Sequence, residues 1–146
     1  MRVQESMDIQ ASPERVWPFL VEPEKILQWY IPLQKFEYTS EQRSGVNAPF
    51  YFEENVAGGS MKLNCEITEW VDNEALAFRM ISGNMPKRYR ERWSVDATPS
   101  GSGFTFEEQG EFAPAILDKL IGPLAQRISR STVEKILVKL KSLVEA

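Results

Sequence analysis

Histidine is absent from this chain of 146 residues. With it go the commonest general base and the commonest metal ligand. Cysteine is nearly absent as well. The single Cys65 excludes an internal disulfide framework and fits a reducing compartment. No apolar run approaches the length of a membrane-spanning helix. The first residues, MRVQESMDIQ, alternate with charge where a signal peptide has its apolar centre. A cytoplasmic protein with no stable membrane insertion is therefore expected. A basic excess is also lacking: 17 Lys and Arg stand against 21 Asp and Glu, a net charge of −4. A dedicated nucleic-acid-binding domain is usually basic, so no nucleic-acid partner is expected. The charge is unevenly placed, however, with six basic and three acidic side chains in residues 115–146.

What is present is apolar and aromatic. Hydrophobic residues make up 42% of the chain, and four Trp, four Tyr and eight Phe are spread along it. That composition fits one folded domain with its own core, spanning residues 1–146. Residues 2–10 alternate loosely and predict a first strand. Ser12-Pro13-Glu14 then has the signature of a helix start: a capping side chain, a proline in the first turn and an acidic residue. Pro18 keeps that helix short, and Pro23-Glu24 begins a second one that Pro32 stops. From residue 33 to about 113 the apolar period is two, broken by RSGVNAP, Gly58-Gly59, VDNEA and TPSGSG. This predicts an antiparallel meander of about six further strands. The last 33 residues return to helical spacing through Leu117, Leu120, Leu124, Ile128, Ile136, Leu140 and Leu143, with a break or kink expected at Gly122-Pro123.

The densest charge lies in KRYRERW, residues 87–93. In a strand, Arg88, Arg90, Arg92 and Ser94 share one face, and Tyr89, Glu91, Trp93 and Val95 the other. The arginines then form the wet side of a half-buried sheet, not a phosphate-binding patch. Glu91 is left on the apolar face. Glu54 is likewise in phase with Phe50, Phe52 and Val56, and Glu108 with Phe104, Phe106 and Phe112. A carboxylate in a dry core costs several kcal/mol unless paired. These three therefore line a cavity, pair with an inward arginine such as Arg79 after a register slip, or are turned outward by β-bulges.

The stretch SPERVWPFLVEPEKILQWYIP resembles the N-terminal signature of the START-like, or SRPBCC, superfamily, the polyketide-cyclase and lipid-transport group. Ile9, Ser12-Pro13-Glu14, Val16-Trp17, Leu20, Pro23-Glu24 and Trp29 carry the match. The resemblance implies an α+β helix-grip fold. A curved antiparallel sheet of about seven strands would surround a long C-terminal helix, with two short helices after the first strand and a cavity inside.

Three functions are open on this reading, because one fold hosts many. The first is binding of a small hydrophobic ligand, such as a lipid, an isoprenoid or an aromatic polyketide. Phe36, Tyr38, Phe52, Leu63, Phe78, Tyr89, Trp93, Phe104 and Phe106, with Glu54, Glu91, Glu108 and the helix residues Leu117, Leu120 and Leu124, would form the pocket. The same aromatics would equally fill a solid core. The second is a cyclase or dehydratase in which Glu91, Glu108 and Tyr89 supply acid–base groups. The third is a co-chaperone-like interaction module using Arg127, Arg130, Lys135 and Lys139 of the last helix. Neither a metal cluster nor a nucleophile–base spacing is visible, so no metal and no cofactor are expected; oligomeric state is left open.

Overall fold

The computed structural model of the chain describes residues 1–56, 59–112 and 115–146, with the side chains of the last helix described from residue 122. Strand β1 (Arg2–Ile9) is followed by three short helices, α1 (Pro13–Val16), α2 (Pro18–Val21) and α3 (Pro23–Trp29). Six strands then run as a meander: β2 (Leu33–Tyr38), β3 (Pro49–Val56), β4 (Gly59–Val71), β5 (Ala75–Gly83), β6 (Arg88–Thr98) and β7 (Gly101–Glu111). Helix α4 (Ala115–Val144) ends the fold. Every strand pair is antiparallel, and the order β1-β7-β6-β5-β4-β3-β2 makes one curled seven-stranded sheet. The architecture is α+β, of the helix-grip kind.

Three local expectations need correction. The first of the two expected helices is split, because Pro18 has no N–H to continue α1, and Trp17 both ends α1 and precedes α2. Ser12 occupies the N-cap position, yet its side chain makes no capping bond. Its carbonyl accepts from the Arg15 and Val16 N–H groups instead. Helix α4 continues through Gly122-Pro123, so of the expected break or kink, the break does not occur. Proline removes only its own N–H from the ladder, and a 30-residue helix retains the rest. Gly58 of the expected turn lies outside the described residues, but Val56 pairs with Gly59 where that turn would close.

The concave face of the sheet holds the core. Phe36, Phe50, Phe52, Phe78, Trp93, Phe104 and Phe106 are buried on it and pack ring to ring; Phe36 stacks on Phe50 at 4.6 Å between centroids. Trp29 of α3 closes over them, its ring 5.2 Å from Trp93 and its indole N–H donating to the Phe19 carbonyl at 2.7 Å. Helix α4 packs against β1, α3 and β7. The gripping residues are Val133, Ile136, Leu137, Leu140 and Val144, all buried. Leu124 and Ile128 fall in the expected apolar series but are 60% and 46% exposed. The helix is thus held by its C-terminal half, and Leu124 and Ile128 stand at the edge of an internal space.

Candidate functional site

Strands β6 and β7 pair without a register shift from Arg88–Glu111 to Thr98–Gly101. Glu91 therefore lies directly across from Glu108, and both side chains point to the concave face. Strand β3 pairs as regularly with β4, which keeps Glu54 in phase with Phe50 and Phe52. The bulges of this sheet lie elsewhere, in β2 between Leu33 and Lys35 and along β4 beside Asn64 and Thr68. Neither of the two escapes from burial takes place. No bulge turns these carboxyls outward, and Arg79 is on the convex face, bonded to Glu66 at 2.6 Å. Glu54, Glu91 and Glu108 are 7%, 3% and 6% exposed.

Two tyrosines and a tryptophan meet them. Glu91 accepts from Tyr30 at 3.0 Å and Tyr89 at 2.7 Å through one oxygen, and from the Trp93 indole at 3.0 Å through the other. The same Tyr89 hydroxyl lies 2.5 Å from Glu108. A phenol has one proton to give. With carboxyl oxygens on two sides of it, Tyr89 donates to one and accepts from the other, so Glu91 and Glu108 hold a proton between them. The three donors on Glu91 favour its anion, with Glu108 as the acid. Gly110, paired with Tyr89, makes room for this ring: a Cβ at residue 110 would lie 3.3 Å from Tyr89 and 2.7 Å from Phe112.

The electrostatics follow from burial. Desolvation, reinforced by Glu108, raises the pKa of Glu54 to about 8, against a smaller lowering by the nearby Tyr30 hydroxyl. Burial raises Glu91 well above the ordinary carboxyl range, and the charges of Glu108 and Glu54 add to it. Glu108 is raised by burial, in part opposed by Tyr89 and by the Met1 ammonium. That ammonium donates to the Gly110 carbonyl at 2.8 Å. Burial and the surrounding carboxylates likewise hold Tyr30 and Tyr89 firmly protonated.

Beside this cluster is a cavity of about 460 Å³ between the sheet and α4. Glu54, Tyr89, Glu108 and Tyr30 form its polar wall, and Met61, Met85, Val56, Phe112, Leu124, Ile128 and Ile136 are among its apolar lining. Of the residues expected in a pocket, Glu54, Tyr89, Glu108 and Leu124 are on its wall. Glu91 stands one layer behind, holding Tyr89. Phe36, Phe52, Leu63, Phe78, Trp93, Phe104 and Phe106 are placed away from the wall in the solid core, as is the half-buried Tyr38, which donates to the Val21 carbonyl. The β2–β6 aromatics pack ring against ring instead. Leu117 and Leu120 lie outside the described side chains. Sequence reasoning missed Tyr30, Met61 and Met85. Only Tyr30 carried a signal, a tyrosine at a helix end whose hydroxyl needs a partner when buried.

Among the described residues no three Asp, Glu or Cys side chains converge as metal ligands, and no helix is long and apolar enough to cross a membrane. Residues 1–145 match the family described as polyketide cyclase / dehydrase and lipid transport, and the chain belongs to it. Solved structures share the fold. TTHA0849 from Thermus thermophilus is 22% identical, with a TM-score of 0.83 over 99% of this chain and 97% of that one. A START superfamily protein from Mycobacterium smegmatis is 15% identical, with a TM-score of 0.75 over 99% and 97%. MLL2253 from Mesorhizobium loti is 20% identical, with a TM-score of 0.69 over the same shares. No curated protein sequence matches the chain.

Proposed function

We propose that residues 1–146 act as one domain that binds a small, largely apolar ligand of the lipid, isoprenoid or aromatic-polyketide kind. The observation that carries this reading is the cavity: about 460 Å³, apolar on most sides, with carboxyl and phenol groups gathered on one wall. That is the size and composition of a small-molecule pocket, where apolar surface gives affinity and a few polar groups fix orientation. The family's description, with lipid transport in it, supports the same reading. Native mass spectrometry of protein purified without refolding tests it, the expected result being an apolar adduct. A thermal-shift screen of fatty acids, isoprenoids and polyketides tests it from the other side. A ligand at about 100 times its Kd should add roughly 2.7 kcal/mol of stability. No adduct and no stabilising compound would sink the reading.

A second reading, a cyclase or dehydratase, has one specific observation in its favour. Glu54 and Glu108 line the cavity as carboxyls with raised pKa values, and an acid that keeps its proton near neutrality can deliver it to a bound hydroxyl or carbonyl. Here Glu108 is the acid, Tyr89 the relay and Glu91 the group that positions Tyr89. Conversion of a compound found in the screen, lost in Glu108→Gln while its binding persists, would establish this chemistry.

A further inference from the structure

The polar wall of the cavity is unbalanced in a way that names a ligand chemistry. Three carboxyls approach it from three strands, Glu54 on β3, Glu91 on β6 and Glu108 on β7. The groups facing them are Tyr30 from α3, Tyr89 and Trp93 from β6, and the Met1 ammonium ahead of β1. Cys65 on β4 lies near Glu91 and is buried as a neutral thiol. Among its described residues, helix α4 contributes Leu124, Ala125, Ile128, Ser129, Thr132, Val133 and Ile136 to the lining, and no cation. The nearby basic residues Arg127 and Arg130 are exposed, with Arg130 paired to Glu5.

The hydrogen-bond donors are already committed. Tyr89 and Trp93 serve Glu91 and Glu108, and the Met1 ammonium is bonded to the Gly110 carbonyl. Tyr30 gives its one proton to Glu91. Among the described residues Glu54, a carboxyl 7% exposed that forms part of the cavity wall, has beside it only that same Tyr30 hydroxyl, whose single proton it must share with Glu91. A buried acceptor without a donor of its own is costly, and a ligand that brings the donor removes the cost. A neutral hydroxyl satisfies one such acceptor. An ammonium satisfies it with a charge-assisted bond and also offsets the repulsion among three carboxyls. A metal ion fits poorly, since these side chains do not converge on one point.

Resting on the pocket reading above, we infer that the ligand is an apolar amine, with its body against α4 and its ammonium group donating to Glu54 and Glu108. Binding is then linked to protons. The ammonium keeps its charge well above neutrality, as lysine does at about 10.4. It favours ionised Glu54, whose pKa in the free protein is about 8. Below that pH, binding must expel the Glu54 proton, so affinity rises with pH and levels off above it.

Calorimetric titration of the whole chain with decylamine, decanol and decanoate at pH 6, 7 and 8 tests this. Decylamine should bind at least about tenfold tighter than decanol at pH 8, with decanoate the weakest. Its affinity should increase by up to about tenfold per pH unit between 6 and 8, with release of a proton to buffer. Glu54→Gln should abolish the pH dependence and most of the preference for the amine, while decanol still binds, its hydroxyl donating to the Gln carbonyl. That last measurement shows the pocket intact in the variant. Glu53→Gln removes the same charge from the adjacent convex-face position, where Tyr51 holds it, and should change nothing. Decanol binding as tightly as decylamine would overturn the amine inference and leave the pocket reading standing. So would equal losses in the Glu53 and Glu54 variants, which would mark a diffuse surface attraction. If none of the three probes binds, both fall.

Discussion

The two faces of β6 carry the same kinds of side chain to opposite ends. On the convex face, Arg92 bonds Glu69 at 2.7 Å and approaches Glu107 at 3.5 Å, and Arg79 on β5 does the same for Glu66. Each of these glutamates has a guanidinium and water around it, and the hydrogen bond from Arg92 lowers the pKa of Glu69. On the concave face, Glu91 and Glu108 have phenols in place of guanidiniums, and burial drives them upward. Residue type does not set the behaviour of a glutamate here. Strand parity does, because it decides between a solvated cation and a desolvated phenol as neighbour.

The concave face is itself divided, and the largest predicted effect breaks that division. At the β2–β6 end the rings are in contact on all sides; at the α4 end there is open volume. Phe50 touches the rings of Phe36, Phe52 and Phe78 within 4.6–6.2 Å. Phe50→Ala should lower stability by about 3–5 kcal/mol in urea denaturation, the range for a truncated buried ring. Leu124→Ala, at a residue 60% exposed on the cavity edge, should change it by no more than about 0.5 kcal/mol. Equal losses would mean that the α4 end is as tightly packed as the other.

The next effect is in the pH profile. Glu54 titrates at about 8 in the folded chain against an ordinary 4.5. A raised folded-state value means that the protonated carboxyl favours the fold. Its contribution is complete below about pH 4.5 and is lost as pH rises through about 8, with Glu91 and Glu108 acting in the same direction. Chemical denaturation should therefore show stability falling between pH 5 and 9 by the order of a few kcal/mol. Glu54→Gln should flatten part of that fall. Glu69 has the opposite sign, and its contribution fades only as pH drops below the ordinary 4.5. A wild-type profile that rises from pH 5 to 9 would refute the assignment of these carboxyls as desolvated.

Glu91→Gln gives a smaller effect with a reversal in it. No arginine is stranded by the change, so the loss of about 3 kcal/mol or more that follows a broken buried ion pair does not apply. At pH 5 the variant should lie within about 1 kcal/mol of wild type, since the amide keeps the carboxyl's shape and removes a buried charge while giving up part of its acceptor capacity. At pH 9 it should be the more stable of the two. Because Glu91 stands behind Tyr89 and off the cavity wall, ligand affinity should fall less than in Glu108→Gln. A larger loss in the Glu91 variant would put that residue in contact with the ligand.

The succession of strands in a meander, the wet face of KRYRERW and the inward phase of all three glutamates were legible in the sequence, because period-two alternation survives wherever pairing has no bulge. The site itself was only half legible. Alternation says which face a residue takes, not whether that face meets a ring or a void. Phe52 and Glu54 are two residues apart on one face, and one fills the core while the other edges the cavity. That difference depends on how far α4 stands from the sheet, which no local pattern encodes. Tyr30 arrives from α3 by tertiary packing alone, and Met85 from the loop before β6.

The smallest effects belong to the arginines of the convex face. Arg88 is 83% exposed and 3.8 Å from Glu111, and Arg90 donates to Gln109 at 2.6 Å. Exposed pairs of this kind contribute little, because the charges are screened and two long side chains must be ordered to make them. Arg88→Gln and Arg90→Gln should each change stability by less than about 0.5 kcal/mol. Arg92 reaches two carboxylates and is half-buried, so its change to Gln should be the largest of the three, at no more than about 1 kcal/mol. In 1 M salt the three should converge, since only the screened part separates them. The triple variant should also leave the cavity titration unchanged, and neither it nor the wild type is expected to bind nucleic acid. A salt-dependent affinity for DNA or RNA in the wild type, lost in the triple variant, would make the convex face a binding surface in its own right.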